Sequence, residues 1–199
     1  MASFNPASSP VIMPGGLIVW NNLFTAAELD AIEQHGDRLT HEKAGLSAAN
    51  TGRDNIRVTR VAWVMRSAET EDFYAKLEDI VLRLNAQFFR YDLSGVVTFQ
   101  YALYDGAEAG HFDWHKDYGK DYGAPDQEPR KLSLSIQLSD PAKYEGGELE
   151  VRAGNITDVA PKTRGAVVAF PSYVLHRVTP ITSGARKSLV VWAVGPEFK

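Results

Sequence analysis

The sequence predicts a mixed α+β fold, mainly β, in which two helices pack on one face of an antiparallel sandwich or barrel. Three observations lead there. From residue 95 onward, short β-rich runs alternate with turn residues at the spacing of antiparallel sheets. Before residue 90, two segments repeat apolar residues at helical intervals. A hydrophobic share of 44% with 23% charged residues over 199 residues can fill one substantial core, so residues 1–199 are read as one domain.

Residues 1–16 are rich in Pro, Gly and Ser and are expected to fray. "LIVW" then reads as a short strand. In "TAAELDAIEQHGDRL", Thr25 and Glu28 stand at capping-box spacing and Leu29, Ile32 and Glu33 follow with helical periodicity, which predicts a helix ending near Gly36. Residues 41–55 lack an apolar period and are expected to form a long loop. "NIRVTRVAWVM" alternates as a strand does. "TEDFYAKLEDIVLRLNAQFF" sets Phe73, Leu77, Ile80, Leu84 and Phe88 on one helical stripe. Residues 17–95 would support a β core over 96–194, whose strands are "GVVTFQYALY", "HFDWHKD", "KLSLSIQL", "GGELEVR", "GAVVAF", "HRVTP" and "KSLVVWAV". The turn-rich residues 118–129 and the loop at 41–55 are candidate lids.

Composition narrows the function classes. A net charge of −4 offers no basic field for a phosphate backbone, so no nucleic-acid partner is expected. Without cysteine there is no disulfide and no thiolate metal site, and any metal must be held by His, Asp or Glu. No stretch has the apolar length of a membrane span, and the first residues lack the charged start and apolar run of a signal peptide. The expectation is a soluble cytoplasmic protein with no membrane partner.

Five histidines are present, at 35, 41, 111, 115 and 176. His35 and His41 lie at a helix end and in a polar loop and are read as solvated. "HFDWHKD" contains His-x-Asp twice, as His111 with Asp113 and His115 with Asp117. On a regular strand all four side chains project to one face. One His-x-Asp and a distant His form a facial set that leaves the opposite side of a metal open, and His176 in "FPSYVLHRVTP" is the candidate third donor. Arg53, Arg57 and Arg60 in "TGRDNIRVTR" are either a solvated strand face or, if turned to the metal, an anchor for an acidic substrate group.

"HRVTPITSGARKSLVVW", which begins at His176, resembles the C-terminal signature of iron(II)- and 2-oxoglutarate-dependent oxygenases, in particular the prolyl-4-hydroxylase-like branch. It has His-x-Val, a Pro, a Gly, and Arg186 ten residues after the His. Tyr104, a Gly-containing turn, Phe112 and then His115-Lys116-Asp117 resemble the family's lead-in to its His-x-Asp. "RKLSLSIQL", "EGGELEV" and "RGAVVAFPSYVLHRV" follow in family order, over about half of the chain. Gln137 departs from the pattern, standing where some prolyl hydroxylases carry a tyrosine that helps hold 2-oxoglutarate.

The resemblance implies a double-stranded β-helix core, jelly-roll or cupin-like, with the N-terminal helices packed on one sheet. It implies His115, Asp117 and His176 as the catalytic metal ligands, because the family often has an aromatic residue three before the metal His, as Phe112 is to His115. His111 and Asp113 remain the alternative pair, otherwise lining the pocket or solvated. Arg186 and Tyr104, with Ser188 and Leu149, would bind 2-oxoglutarate. The implied cofactors are Fe(II), 2-oxoglutarate and O2, with ascorbate as a possible stimulant. The implied reaction couples oxidative decarboxylation of 2-oxoglutarate, to succinate and CO2, with hydroxylation of an unactivated C–H bond in a protein or peptide residue such as prolyl, or in a small molecule. A carboxylate at Asp117, where halogenating relatives carry a small apolar residue, favours hydroxylation. The rival reading is a metal-dependent but non-oxidative ligand-binding jelly roll. Gly146-Gly147 is read as a bulge or a close backbone approach, and Pro171-Ser172 as the turn before the His176 strand.

Overall fold

The computed structural model describes residues 8–44, 56–118 and 128–198. β1 (Val11–Ile12) pairs with β2 (Ile18–Trp20), and the amides of Gly15 and Leu17 donate to the Asp158 carboxylate. The segment read as fraying up to Gly16 is therefore tied down from Ser8, whose hydroxyl donates to the Asn21 carbonyl. α1 (Ala26–Arg38) opens on the capping box: Thr25 Oγ1 accepts from the Glu28 amide at 3.2 Å and Glu28 accepts from the Thr25 amide at 2.7 Å. Gly36 does not end this helix. It is buried against Tyr101, whose ring a Cβ at that position would strike.

β3 (Glu42–Lys43) lies in the stretch read as loop, and residues 45–55 of that stretch, with Arg53, lie outside the described residues. The single strand expected over 55–65 is split at Thr59 into β4 (Arg57–Val58) and β5 (Arg60–Val64), which join different sheets. α2 (Glu71–Leu84) buries Tyr74, Leu77, Ile80, Val81 and Leu84 and continues into a π-helical turn, Asn85–Phe89. The β region comprises β6 (Gly95–Val96), β7 (Phe99–Asp105), β8 (His111–His115), β9 (Arg130–Gln137), β10 (Tyr144–Gly146), β11 (Leu149–Ala153), β12 (Ile156–Val159), β13 (Val167–Pro171), β14 (Leu175–Val178) and β15 (Ile181–Val194). Sequence reading missed β12 and began β15 six residues late. Residues 119–127 of the proposed lid lie outside the described residues.

The strands form two antiparallel sheets. The large one runs β1-β2-β13-β9-β15-β7-β5-β3, and the small one β12-β11-β14-β8-β4. From β7 on, successive strands wind between them: β7 and β9 in the large sheet flank β8 in the small one, β11 and β12 lie in the small sheet, and β13, β14 and β15 alternate. This is the winding of a double-stranded β-helix.

The period of two along the large sheet divides its faces. Leu132, Leu134 and Ile136 of β9, with Leu189, Val191 and Ala193 of β15, pack against Leu29, Ile32, Leu77, Ile80 and Leu84 of the helices. The opposite face meets the small sheet through Ala102, Tyr104, Val168 and Phe170, against Phe112, Leu149, Val151 and Val178. Each such Leu, Ile or Val contributes about 1.5–3 kcal/mol on full burial. Polar side chains of the same strands, Ser133, Ser135, Arg186 and Ser188, also point between the sheets and line a cavity there. Among the described residues, no helix is long and apolar enough to cross a membrane.

Candidate active site

β8 and β14 bring two histidines together, because His115 stands directly opposite His176 in the ladder, ring centroids 4.1 Å apart. The next pairing is Val178 with Phe112, so β8 carries one more residue than β14 between these rungs. A bulge of one residue reverses the alternation on either side of it. Phe112 thereby shares the inner face with His115 and stacks on its ring at 3.4 Å, while His111 is turned to the other face. The expectation that His111, Asp113, His115 and Asp117 share one face is corrected accordingly. His111 Nδ1 pairs with the Ala109 carbonyl, and Asp113 is exposed, its carboxylate accepting from the Trp114 amide.

Asp117 lies two residues past His115, beyond the strand end, on the same side as His115. Its amide donates to the Ser172 carbonyl at 2.9 Å. Ser172 Oγ donates a 2.8 Å bond to Ser133 Oγ, whose own proton goes to Asp117, so the turn after β13, read from the sequence only as the turn before the His176 strand, also fixes the acid in place. Asp117 Oδ2 accepts from Ser133 Oγ at 2.7 Å and from Trp192 Nε1 at 2.8 Å.

The Nδ1 atoms of His115 and His176 lie 2.7 and 3.0 Å from the carbonyls of Asp113 and Val174. A carbonyl only accepts, so each Nδ1 carries the proton and each Nε2 turns a lone pair inward. These Nε2 atoms sit 3.8 and 3.4 Å from the Asp117 carboxylate, and the three donor groups lie within 4.8 Å of one another, all buried. Burial, with His176 beside it, pushes His115 well below the ordinary imidazole range. Burial alone would raise Asp117, but positive charge at His176, with help from His115 and Arg130, holds its carboxyl well below the usual range; with both imidazoles neutral, that charge has to come from a cation. Lone pairs and a buried carboxylate converging this closely repel one another unless a cation sits among them, so the donor set fits a divalent metal. Two imidazoles and one carboxylate on one side leave the remaining positions open, as non-haem iron(II) sites require.

The three donors line a cavity of about 330 Å³ that also contains Arg186, Tyr104, Ser188 and Leu149. All four residues singled out for 2-oxoglutarate therefore meet in one space. Arg186 is 1% exposed. Its Nη1 donates to Ser188 Oγ at 3.3 Å, its guanidinium lies 5.4 Å from the Tyr104 ring centre, and its Nη2 has no hydrogen-bond partner among the described residues. Burial lowers its pKa, against the pull of the Tyr104 and Tyr144 phenols, yet a guanidinium keeps its charge even so. A buried cation with an unsatisfied donor fits a carboxylate. Gly147, at φ +67°, leaves the room for this side chain: a Cβ there would collide with Ile181 and come 3.1 Å from Arg186 Cδ. Gln137 is buried but is not among the cavity residues.

Sequence reading missed Ser133, Tyr144, Gln100 and Arg130. The alternating polar residues of "KLSLSIQL" were the available signal for Ser133. Arg57 lines the cavity, whereas Arg60, on the other sheet, pairs with Glu108 at 2.6 Å. His35 and His41 are partnered rather than solvated, to Glu69 and to the Gly36 carbonyl.

Residues 99–194 match the family model described as the 2OG-Fe(II) oxygenase superfamily. Among curated proteins, a PKHD-type hydroxylase of Hyphomonas neptunium is 46% identical over 61 residues, covering 31% of this chain and 27% of that one. One of Pseudomonas fluorescens is 36% identical over 85 residues, covering 42% and 38%. The matched chain thus spans well under half the length of these relatives. Among solved structures, a Pseudomonas putida prolyl-4-hydroxylase superposes with a TM-score of 0.65 at 19% identity, covering 92% of this chain and 94% of that one. A Trichoplax adhaerens prolyl hydroxylase, solved with a hypoxia inducible factor peptide fragment, gives 0.70 at 18% identity over 91% and 84%. The fold is that of these hydroxylases, and the segment 99–194 belongs to the 2OG-Fe(II) oxygenase superfamily, a family that uses iron(II), 2-oxoglutarate and O2.

Proposed function

We propose that this protein is a non-haem iron hydroxylase in which His115, Asp117 and His176 hold iron(II) and Arg186 holds 2-oxoglutarate. The observation that carries the reading is the coexistence, in one buried cavity, of three converging donors and an arginine with an unsatisfied Nη2. A zinc hydrolase could use the same three ligands, but has no need of a buried carboxylate clamp. Bound iron(II) supplies oxygen activation, which couples conversion of 2-oxoglutarate to succinate and CO2 with hydroxylation of a substrate C–H bond.

The chain's own residues do the rest. Arg186, held by Ser188, presents its fork to the distal carboxylate of 2-oxoglutarate, and Tyr104 stands beside it to donate its phenol. Leu149, Phe170 and Val178 line the space around the co-substrate and exclude water. Ser133 and Trp192 occupy one oxygen of Asp117, so that the other is presented to the metal. The primary substrate is a residue in a protein or peptide, such as prolyl, or a small molecule, and the compartment is the cytoplasm.

Purified protein with iron(II), ascorbate and 2-oxoglutarate, assayed for succinate in air and under nitrogen against a panel of proline-containing peptides, tests this reading. Oxygen-dependent succinate is expected. Its absence, with no binding of 2-oxoglutarate to the iron-loaded protein, would overturn the proposal.

A further inference from the structure

The acid of the proposed metal set stands past the end of β8, outside the strand ladder, and its seat is the turn after β13. The amides of Asp117 and Tyr118 both donate to the Ser172 carbonyl at 2.9 Å, and the Ser172 amide donates to the Lys131 carbonyl at 3.0 Å. Three segments therefore meet at Ser172: the residues after β8, the turn after β13 and the start of β9.

The side chains beside these backbone bonds converge on a single ring. Tyr118 follows Asp117, and Tyr173 follows Ser172. Their ring centres lie 5.8 and 5.7 Å from that of Phe198, beyond the end of β15, and the Lys131 ammonium sits 4.2 Å from the same centre. Each segment that seats the acid thus rests one side chain on Phe198. Tyr91, from the segment after α2, closes the group with an edge-on contact at 5.0 Å. Tilted and edge-to-face ring pairs, and an ammonium over a ring face, attract one another. Phe198 is itself 40% exposed, so its place is set by these contacts and not by burial in the core.

The same run of chain reaches the acid from a second direction. Trp192 donates to Asp117 Oδ2, and three residues later the Gly195 amide donates to the Pro129 carbonyl just before β9. Gly195 lies so close to the Asp92 backbone that a Cβ would strike its carbonyl, which fixes the path on to Phe198. The chain from Trp192 to Phe198 therefore bears on Asp117 twice, once at the carboxylate and once through the backbone that carries it. Ser133 and Trp192 hold one oxygen, but the other can be no better placed than the main chain of Asp117.

We propose that Phe198 is a positioning residue for the metal-binding carboxylate, clamping the residues after β8 to the turn after β13 so that Asp117 is in place before the metal arrives. This inference rests on the metal-site reading above. It is tested by manganese(II) binding to the full chain, read as loss of the paramagnetic resonance signal of the free ion, which needs no turnover. The wild type should bind and His115→Ala should not. Phe198→Ala should weaken binding roughly tenfold, the lower end of what removing a ligand's supporting contact costs. Phe198→Tyr keeps the ring and should bind as the wild type does. Thr25→Ala, which removes the cap of α1, controls for a general loss of stability and should leave the affinity unchanged. Tyr173→Ala removes an exposed ring of the same cluster, should weaken binding in the same sense, and decides the question if Phe198→Ala does not fold. Equal affinity of Phe198→Ala and the wild type would overturn the inference, as would a loss that Thr25→Ala or Phe198→Tyr reproduces. A wild type that does not bind manganese(II) removes the metal-site reading and this one with it, whereas binding that is indifferent to Phe198 removes only this one.

Discussion

Asp117 must be both buried and anionic, and Ser133 and Trp192 fix one of its two oxygens in place. Removing such a supporting bond typically costs 10- to 100-fold in metal affinity. Ser133→Ala should therefore weaken iron(II) binding by roughly tenfold or more, measured by competition with a coloured chelator, and an unchanged affinity would show that the bond does not position the carboxylate. At Arg186 a lysine keeps the charge but loses the fork. With charge-assisted hydrogen bonds worth about 1.5–3 kcal/mol, Arg186→Lys should weaken 2-oxoglutarate binding by roughly 10- to 100-fold while leaving iron affinity near that of the wild type. His115, Asp117, His176 and Arg186, the proposed ligands and clamp, could be singled out because short spacings in the chain carry them: His-x-Asp at the end of β8, and Arg186 ten residues after His176, from β14 into β15. Tyr144, Gln100 and Arg130 could not, because their relevance arises only when separate strands are laid side by side. Arg57 was visible as a charge, but the turn at Thr59 that sends it to the small sheet, and Arg60 to the large one, has no signature in the sequence.

The elements were read most securely where one local rule decides them. The capping box of α1 is such a case, and Thr25→Ala should cost about 1 kcal/mol, seen as a lower denaturation midpoint. Gly36 shows the opposite. Glycine near a helix end reads as a stop, yet here it makes room for Tyr101, whose hydroxyl donates to Asp37 at 2.7 Å. Gly36→Ala has better helix propensity and should nevertheless destabilise by about 1–3 kcal/mol through overpacking, and a stabilised variant would contradict this account. The bulge in β8 is the main departure from pattern reading. Period two placed both His-x-Asp pairs on one face, and one inserted residue sends His111 outward while keeping His115 and Asp117 together.

Across the whole molecule, the large sheet serves two purposes with its two faces. One packs on the helices and is mainly apolar, with Lys187 and the Tyr101 hydroxyl reaching the acids of α1 at its edge, and the other meets the small sheet and intersperses apolar contacts with the polar residues of the cavity. The mainly β class and the helix-covered sheet were legible from the run of short strands. Which strands pair was not, since pairing joins segments far apart in the chain, as with β7 and β15. Because the proposed metal ligands come from the end of β8, the turn beyond it and β14, metal binding should hold the small sheet together. Ion at a hundredfold excess over its dissociation constant stabilises by about 2.7 kcal/mol, which for a chain of this size is roughly 5–11 °C in Tm. Manganese(II) or iron(II) should produce that shift in the wild type and not in His115→Ala.

The most direct test of the site is an anaerobic titration of iron(II)-loaded protein with 2-oxoglutarate, following the visible absorption that a 2-oxo acid produces when it chelates iron(II). The wild type and His111→Ala should both develop the band, His115→Ala should not, and Arg186→Lys should require a far higher concentration. A band that survives His115→Ala but disappears with His111→Ala would contradict the account, because it would put the metal on the other face of β8.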